Sequence, residues 1–219
     1  MKKALVLLIF ILLLAGCSTN GINTEKTKGE KSVEDKHVAE KNKNFYIDNP
    51  QATDDRPLQE IGRVYEDKDG QATLKALNQD KQTVTIGPME LTIQHVKAFR
   101  YLPSPDLIDF FHEYTENEEE FNYVKVFITV KNTSADTLNF NPIAVLETSA
   151  GEKKNWQEDF YLEGLNGDFK GKEDKLGNMG FVIDKTNVDE FKWIKLTTSQ
   201  VLDQNQKIIS KEKVIKINF

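Results

Sequence analysis

Between residues 124 and 131 the chain alternates Val124, Val126, Ile128 and Val130 with Lys125, Phe127, Thr129 and Lys131, a strict period of two. Side chains alternate between faces only in an extended strand, so this pattern predicts a β-strand with one buried face and one mostly wet. Similar runs recur at 61–65, 72–77, 83–86, 89–101, 137–140, 143–148, 159–162, 180–184, 191–197 and 214–219. So many strands exceed what one sheet usually holds. Turn chemistry separates them at Lys68, Asp69 and Gly70, at 132–135 and at 150–152. One segment breaks the rule, because Leu107, Ile108, Phe110, Phe111 and Tyr114 follow a helical stripe. Ser104 is the predicted cap, Pro105 the first helical residue and Asp106 the charge at the positive end of the dipole. The expected fold is mainly β: an antiparallel immunoglobulin-like β-sandwich with one inserted short helix, preceded by a disordered tether.

The tether follows from composition. Residues 18–44 contain no aromatic side chain, and apart from Phe10 every aromatic residue of the chain lies at or after Phe45. Such a stretch, with alternating acids and lysines, builds no core. Before it, Lys2 and Lys3 precede an apolar run from Ala4 to Ala15, too short to span a bilayer, which is the pattern of a signal peptide. The run closes on Leu14, Ala15, Gly16 and Cys17 and here resembles bacterial lipoprotein precursors. That resemblance implies cleavage between Gly16 and Cys17 and a diacylglyceryl group on Cys17, with the protein held on the outer face of the cell membrane; two acyl chains anchor stably. The expected organisation is a signal peptide over 1–16, a lipidated tether over 17–50, an N-terminal hairpin extension over 51–82 and the sandwich over 83–219.

Residues 124–132, the 132–135 turn, 138–142 and 148–151 resemble the telokin-like, immunoglobulin-type domain of Gram-positive extracellular lipoproteins of unknown function. The resemblance runs over roughly 83–219, implies an extracytoplasmic β-sandwich, and carries no catalytic residue across. The 103–122 insertion and the hairpin before residue 83 depart from the simple domain.

Catalytic and metal chemistry find little support in the sequence. The one Cys sits at the lipidation position, so a thiol nucleophile and a multi-Cys metal site are both excluded. The three histidines, His37, His95 and His112, are scattered, and His95 reads as a sheet residue. The glycine-rich 164–172 stretch lacks phosphate-loop spacing and reads as a mobile loop. Glu116, Glu118, Glu119 and Glu120 offer oxygen ligands for calcium, although consecutive acids in a connection are usually just solvated. The net charge of −6 disfavours nucleic acid. No cofactor and no metal are expected.

What remains is an aromatic constellation. Leu107, Phe110, Phe111 and Tyr114 on the insertion, with Trp156 and Tyr161, are the candidate interaction surface if exposed and a core if buried. The expected role is a membrane-anchored, non-enzymatic binding module for a protein or cell-envelope component. The alternatives are a small-ligand or calcium-binding receptor and, after that, an envelope hydrolase with dispersed carboxylates.

Overall fold

The computed structural model describes residues 48–219. The expected signal peptide, Gly16, Cys17 and the tether up to residue 47 lie outside the described residues.

Fourteen strands and one short α-helix lie among the described residues, in three antiparallel sheets. The largest runs β1 (Val64–Asp67), β2 (Gly70–Asn78), β4 (Met89–Pro103), β5 (Phe121–Asn132) and β10 (Asp174–Val182), with β3 (Gln82–Ile86) also paired to β4. A second sheet orders β14 (Val214–Asn218), β11 (Trp193–Thr197), β7 (Val145–Thr148) and β8 (Lys153–Asn155). A third orders β13 (Ile208–Ser210), β12 (Val201–Asp203), β6 (Leu138–Phe140) and β9 (Gly167–Phe169). The front core draws on all three: Val124, Val126, Ile128 and Val130 of β5 share one cluster with Leu146 and Leu196 of the second sheet and Phe140 and Phe169 of the third. The period-two pattern thus marks the sandwich face as expected.

The reverse face is wet only toward the end of β5, where Phe127 and Thr129 are half-buried and Lys131 is exposed. Tyr123 and Lys125 are buried on that face, and a second cluster joins Ala72, Leu74, Phe99, Tyr101, Phe121 and Tyr123 to Ala52, Leu58, Phe111, Phe160 and Tyr161. The large sheet is therefore packed on both sides over the part that this second cluster covers. Each fully buried aromatic or Leu contributes about 1.5–3 kcal/mol of burial, enough to hold the covering segments down.

Within residues 51–82, β1 and β2 form a hairpin that extends the large sheet. β2 pairs with β4 over nearly its whole length, from Gly70 opposite Pro103 to Asn78 opposite Val96. The expected Lys68–Asp69 turn is present, with Asp67 paired to Gly70. Gly70 is required there: its φ is +143°, and a Cβ would collide with the Leu102 carbonyl and the Pro103 Cα.

Three further corrections concern local structure. The helix is shorter than the stripe, a 3-10 turn over Pro105–Leu107 followed by α1 (Ile108–Phe111), and the Ser104 side chain makes no capping bond. Residues 159–162 form no strand, only a single bridge between Asp159 and Phe181. The glycine-rich 164–172 stretch is tied down by β9, whose Leu138–Phe169 to Phe140–Gly167 register with β6 buries Phe169.

Candidate functional site

The insertion between β4 and β5 is fixed by one ring. Phe111 is fully buried and meets Phe121 at 4.6 Å, Phe160 at 5.3 Å and Tyr101 at 5.9 Å between ring centroids. Tilted and edge-on pairs of this kind stabilise beyond area burial. Leu107, Phe110 and Tyr114 pack half-buried against the same cluster. Tyr161 is buried as well; its carbonyl accepts from Asn49 Nδ2 at 3.0 Å and so fastens the start of the domain. Gly180 makes room for it, since a Cβ there would strike the Tyr161 and Phe160 rings.

Of the six residues expected as an interaction surface, Phe111 and Tyr161 are therefore core, for the physical reason that the reverse sheet face needs an apolar cover. Trp156 is the exposed one, at 41%. It sits on the 3-10 turn Trp156–Glu158, held by a reciprocal capping box in which Asn155 Oδ1 accepts from Gln157 N at 2.9 Å and Glu158 Oε2 accepts from Asn155 N at 2.8 Å. The exposed ring is thus carried on a stiff turn.

Beyond α1, a cleft of about 450 Å³ opens between residues 112–117 and Lys154, Asp184 and Lys185. Through the last three residues it continues into a second cleft of about 370 Å³ bordered by Glu152 and Glu158. Its walls are internally bonded. Thr115 Oγ1 donates to Asp184 at 2.8 Å. Buried Glu152 accepts from Asp184 N, Lys185 N and Thr186 Oγ1 at 2.9, 3.0 and 2.7 Å. Two members of the acidic run are drawn into pairs: Glu118 with His112, and Glu120 Oε1 with Arg100 Nε at 3.5 Å. Among the described residues no three His, Cys, Asp or Glu side chains converge on a point that could hold a metal ion.

The strongest electrostatics lie beneath the surface, among residues the sequence does not single out. Asp55, on the covering segment, accepts from Lys97 Nζ at 2.8 Å and Lys125 Nζ at 2.5 Å, and all three side chains are nearly inaccessible. Burial raises the Asp55 carboxyl, but the two ammonium groups overcome it and hold it well below the usual carboxylate range. Burial pushes Lys97 down. Neighbouring His95 stacks 5.1 Å from Phe127; burial, and then the charge of Lys125, depress it to about 4, so it is neutral at physiological pH. Asp159 is raised to about 7 by burial, with partial relief from the Gly180 and Tyr161 N–H groups. None of Asp55, Lys97 or Lys125 lines the two clefts above. Two lysines on separate strands become a signal only once the β4–β5 register sets them opposite each other.

No family profile matches the chain. The chain is 40% identical over 238 aligned positions, spanning 100% of both sequences, to the uncharacterized protein YdhF of Bacillus subtilis (strain 168). It belongs to the YdhF family. It is also 24% identical over 163 residues, 74% of this chain and 72% of the other, to the SPbeta prophage-derived uncharacterized lipoprotein YonS of the same strain. Among solved structures it is similar to a functionally unknown protein from Listeria monocytogenes EGD-e, with a TM-score of 0.48 and 13% identity over 71% of this chain and 88% of that one. A conserved hypothetical protein from Bacillus anthracis gives a TM-score of 0.35 at 12% identity, over 63% and 95% of the two chains. Among the described residues no helix is long and apolar enough to cross a membrane.

Proposed function

We propose that the chain is a lipid-anchored, extracytoplasmic β-sandwich of the immunoglobulin type that works as a non-enzymatic binding module for a protein or envelope component. The observation that carries this reading is Trp156, 41% exposed on a capped turn. A large, stiff, amphipathic ring loses little entropy on contact, which is why tryptophan dominates binding hot spots. The distribution of charge favours binding over catalysis. Asp55, Lys97 and Lys125 are locked together in the reverse core, while Asp184 and Glu152 at the open clefts already accept hydrogen bonds from their neighbours. Anchoring is supported by the Leu14–Cys17 motif and by the word lipoprotein in the name of YonS.

The test is photo-crosslinking in cells from a benzophenone side chain placed at position 156. A discrete adduct is expected there, and none from exposed position 204. The same adducts from both positions, or none from 156, would refute the reading.

A further inference from the structure

Neither of the two tryptophans of this chain belongs to either buried cluster, although Phe enters both and Tyr the second. Trp193 stands on β11, on the outward side of the second sheet, because Ile194 and Leu196 turn into the front core. Two ammonium groups flank its ring, Lys195 Nζ at 4.7 Å and Lys216 Nζ at 5.1 Å from the centroid.

The register extends this arrangement into a row. Lys216 pairs with Lys195, Lys195 with Glu147 and Glu147 with Lys153, so three lysines and one glutamate cross the four strands side by side. Adjacent strands lie about 4.8 Å apart, which makes the row about 14 Å long. Directly opposed Lys195 and Lys216 repel each other, which destabilises a cross-strand pair. Glu147 is shared by Lys195 at 3.3 Å and Lys153 at 3.7 Å, and among the described residues Lys216 makes no ion pair. The face therefore carries surplus positive charge on a chain whose net charge is −6. Asn218 beside Trp193 and Thr197 beside Val214 continue the surface with amide, hydroxyl and methyl groups.

We propose that this outward face of β14, β11, β7 and β8 binds an anionic polysaccharide: one sugar ring on Trp193, with acidic groups taken by Lys195 and Lys216. The face matches that chemistry in three respects. It is an open sheet face, its aromatic ring offers a negative π-face to polarised C–H groups, and its two cations lie over that ring, 4.7 and 5.1 Å from its centroid, within reach of the acidic groups of a sugar seated there. Free, the lysines cover the ring through cation–π contact. Bound, they turn to the ligand's anions and yield the ring to the sugar. The proposal specifies the kind of envelope component in the function proposed above and rests on that reading for where the ligand is met.

The experiment uses the full-length chain in detergent with Trp156→Phe, which leaves Trp193 as the sole tryptophan. Its fluorescence is titrated with polygalacturonate, with neutral dextran and inorganic polyphosphate as comparison probes. A saturable change with polygalacturonate, none with dextran, and weaker binding at higher salt are expected, because exposed charges are screened within about 10 Å at 0.1 M. Lys195→Gln/Lys216→Gln should weaken polygalacturonate binding at least tenfold. Trp193→Phe, read by calorimetry, should weaken it severalfold, with the far-UV spectrum and melting temperature unchanged in both variants. No saturable binding of polygalacturonate, equal binding of dextran, or affinity unaltered in the lysine variant would overturn the proposal. Tight polyphosphate binding with polygalacturonate ignored would overturn it too, since charge alone would then be read. Failure here would leave crosslinking from position 156 and attachment at Cys17 as they stand, so the two readings fail separately.

Discussion

Lys97 and Lys125 stand directly opposite each other on adjacent antiparallel strands and close on the single carboxylate of Asp55, which reaches them from the segment that covers the sheet. The covering segment is thereby held by charge as well as by Ala52 and Leu58. Lys97 Nζ also donates to the Asp55 carbonyl at 2.8 Å, so backbone and side chain of one residue are both engaged.

Removing Asp55 leaves two buried like charges face to face. Asp55→Asn should cost about 3–5 kcal/mol in urea unfolding, the usual penalty for breaking a buried pair from one side. Replacing all three residues together, Asp55→Leu with Lys97→Met and Lys125→Met, should recover most of that loss, because an apolar substitute for a buried ion triad is often neutral. A single variant as stable as wild type would show that the triad does not secure the segment.

Two buried groups set opposing pH slopes. Asp159 is raised from 3.8 to about 7, so between those values the folded state holds more protons than the unfolded one and stability falls as pH rises. His95 is lowered from 6.5 to about 4, so between those values the folded state holds fewer protons and stability rises with pH. Each slope is about 1.4 kcal/mol per pH unit at most, and over the shared window they cancel. Wild-type stability should thus be nearly flat from about pH 5 to 6.5 and decline slightly toward 7, and it should fall below about pH 5, where Asp55, depressed in the folded state, takes up protons first in the unfolded chain. Asp159→Asn should unmask a rise with pH, and His95→Gln a fall. Denaturant midpoints across that range read the signs; parallel curves for the three proteins would contradict both assignments.

The insertion should be inseparable from the fold. Phe111→Ala removes the ring shared by Tyr101, Phe121 and Phe160 and should cost about 3–5 kcal/mol. His112→Ala, one residue on and exposed, should leave the melting temperature unchanged. Equal effects of the two would mean that α1 sits on the domain without anchoring it.

Much of the front of the molecule is legible in the sequence. The alternation in β5 marks its inward face, and the turn at Lys68 and Asp69 is encoded by the Gly70 that follows. The reverse side is not legible, because Lys97 and Lys125 occupy positions that in an isolated strand face water. Their burial depends on Asp55, 42 and 70 residues earlier in the chain. β8, β9, β12 and β13 have three residues each, too few to show any period. The aromatic constellation is visible as a group, but which members face inward is decided by the second layer. Phe111 and Tyr161 turn in, while Trp156 stays out on its capped turn.

The account stands most directly on the chemical state of Cys17. Mass spectrometry of the protein isolated from its native membrane should give an N-terminal residue 17 carrying a thioether-linked diacylglycerol. A free thiol at Cys17 with residues 1–16 still attached would contradict it.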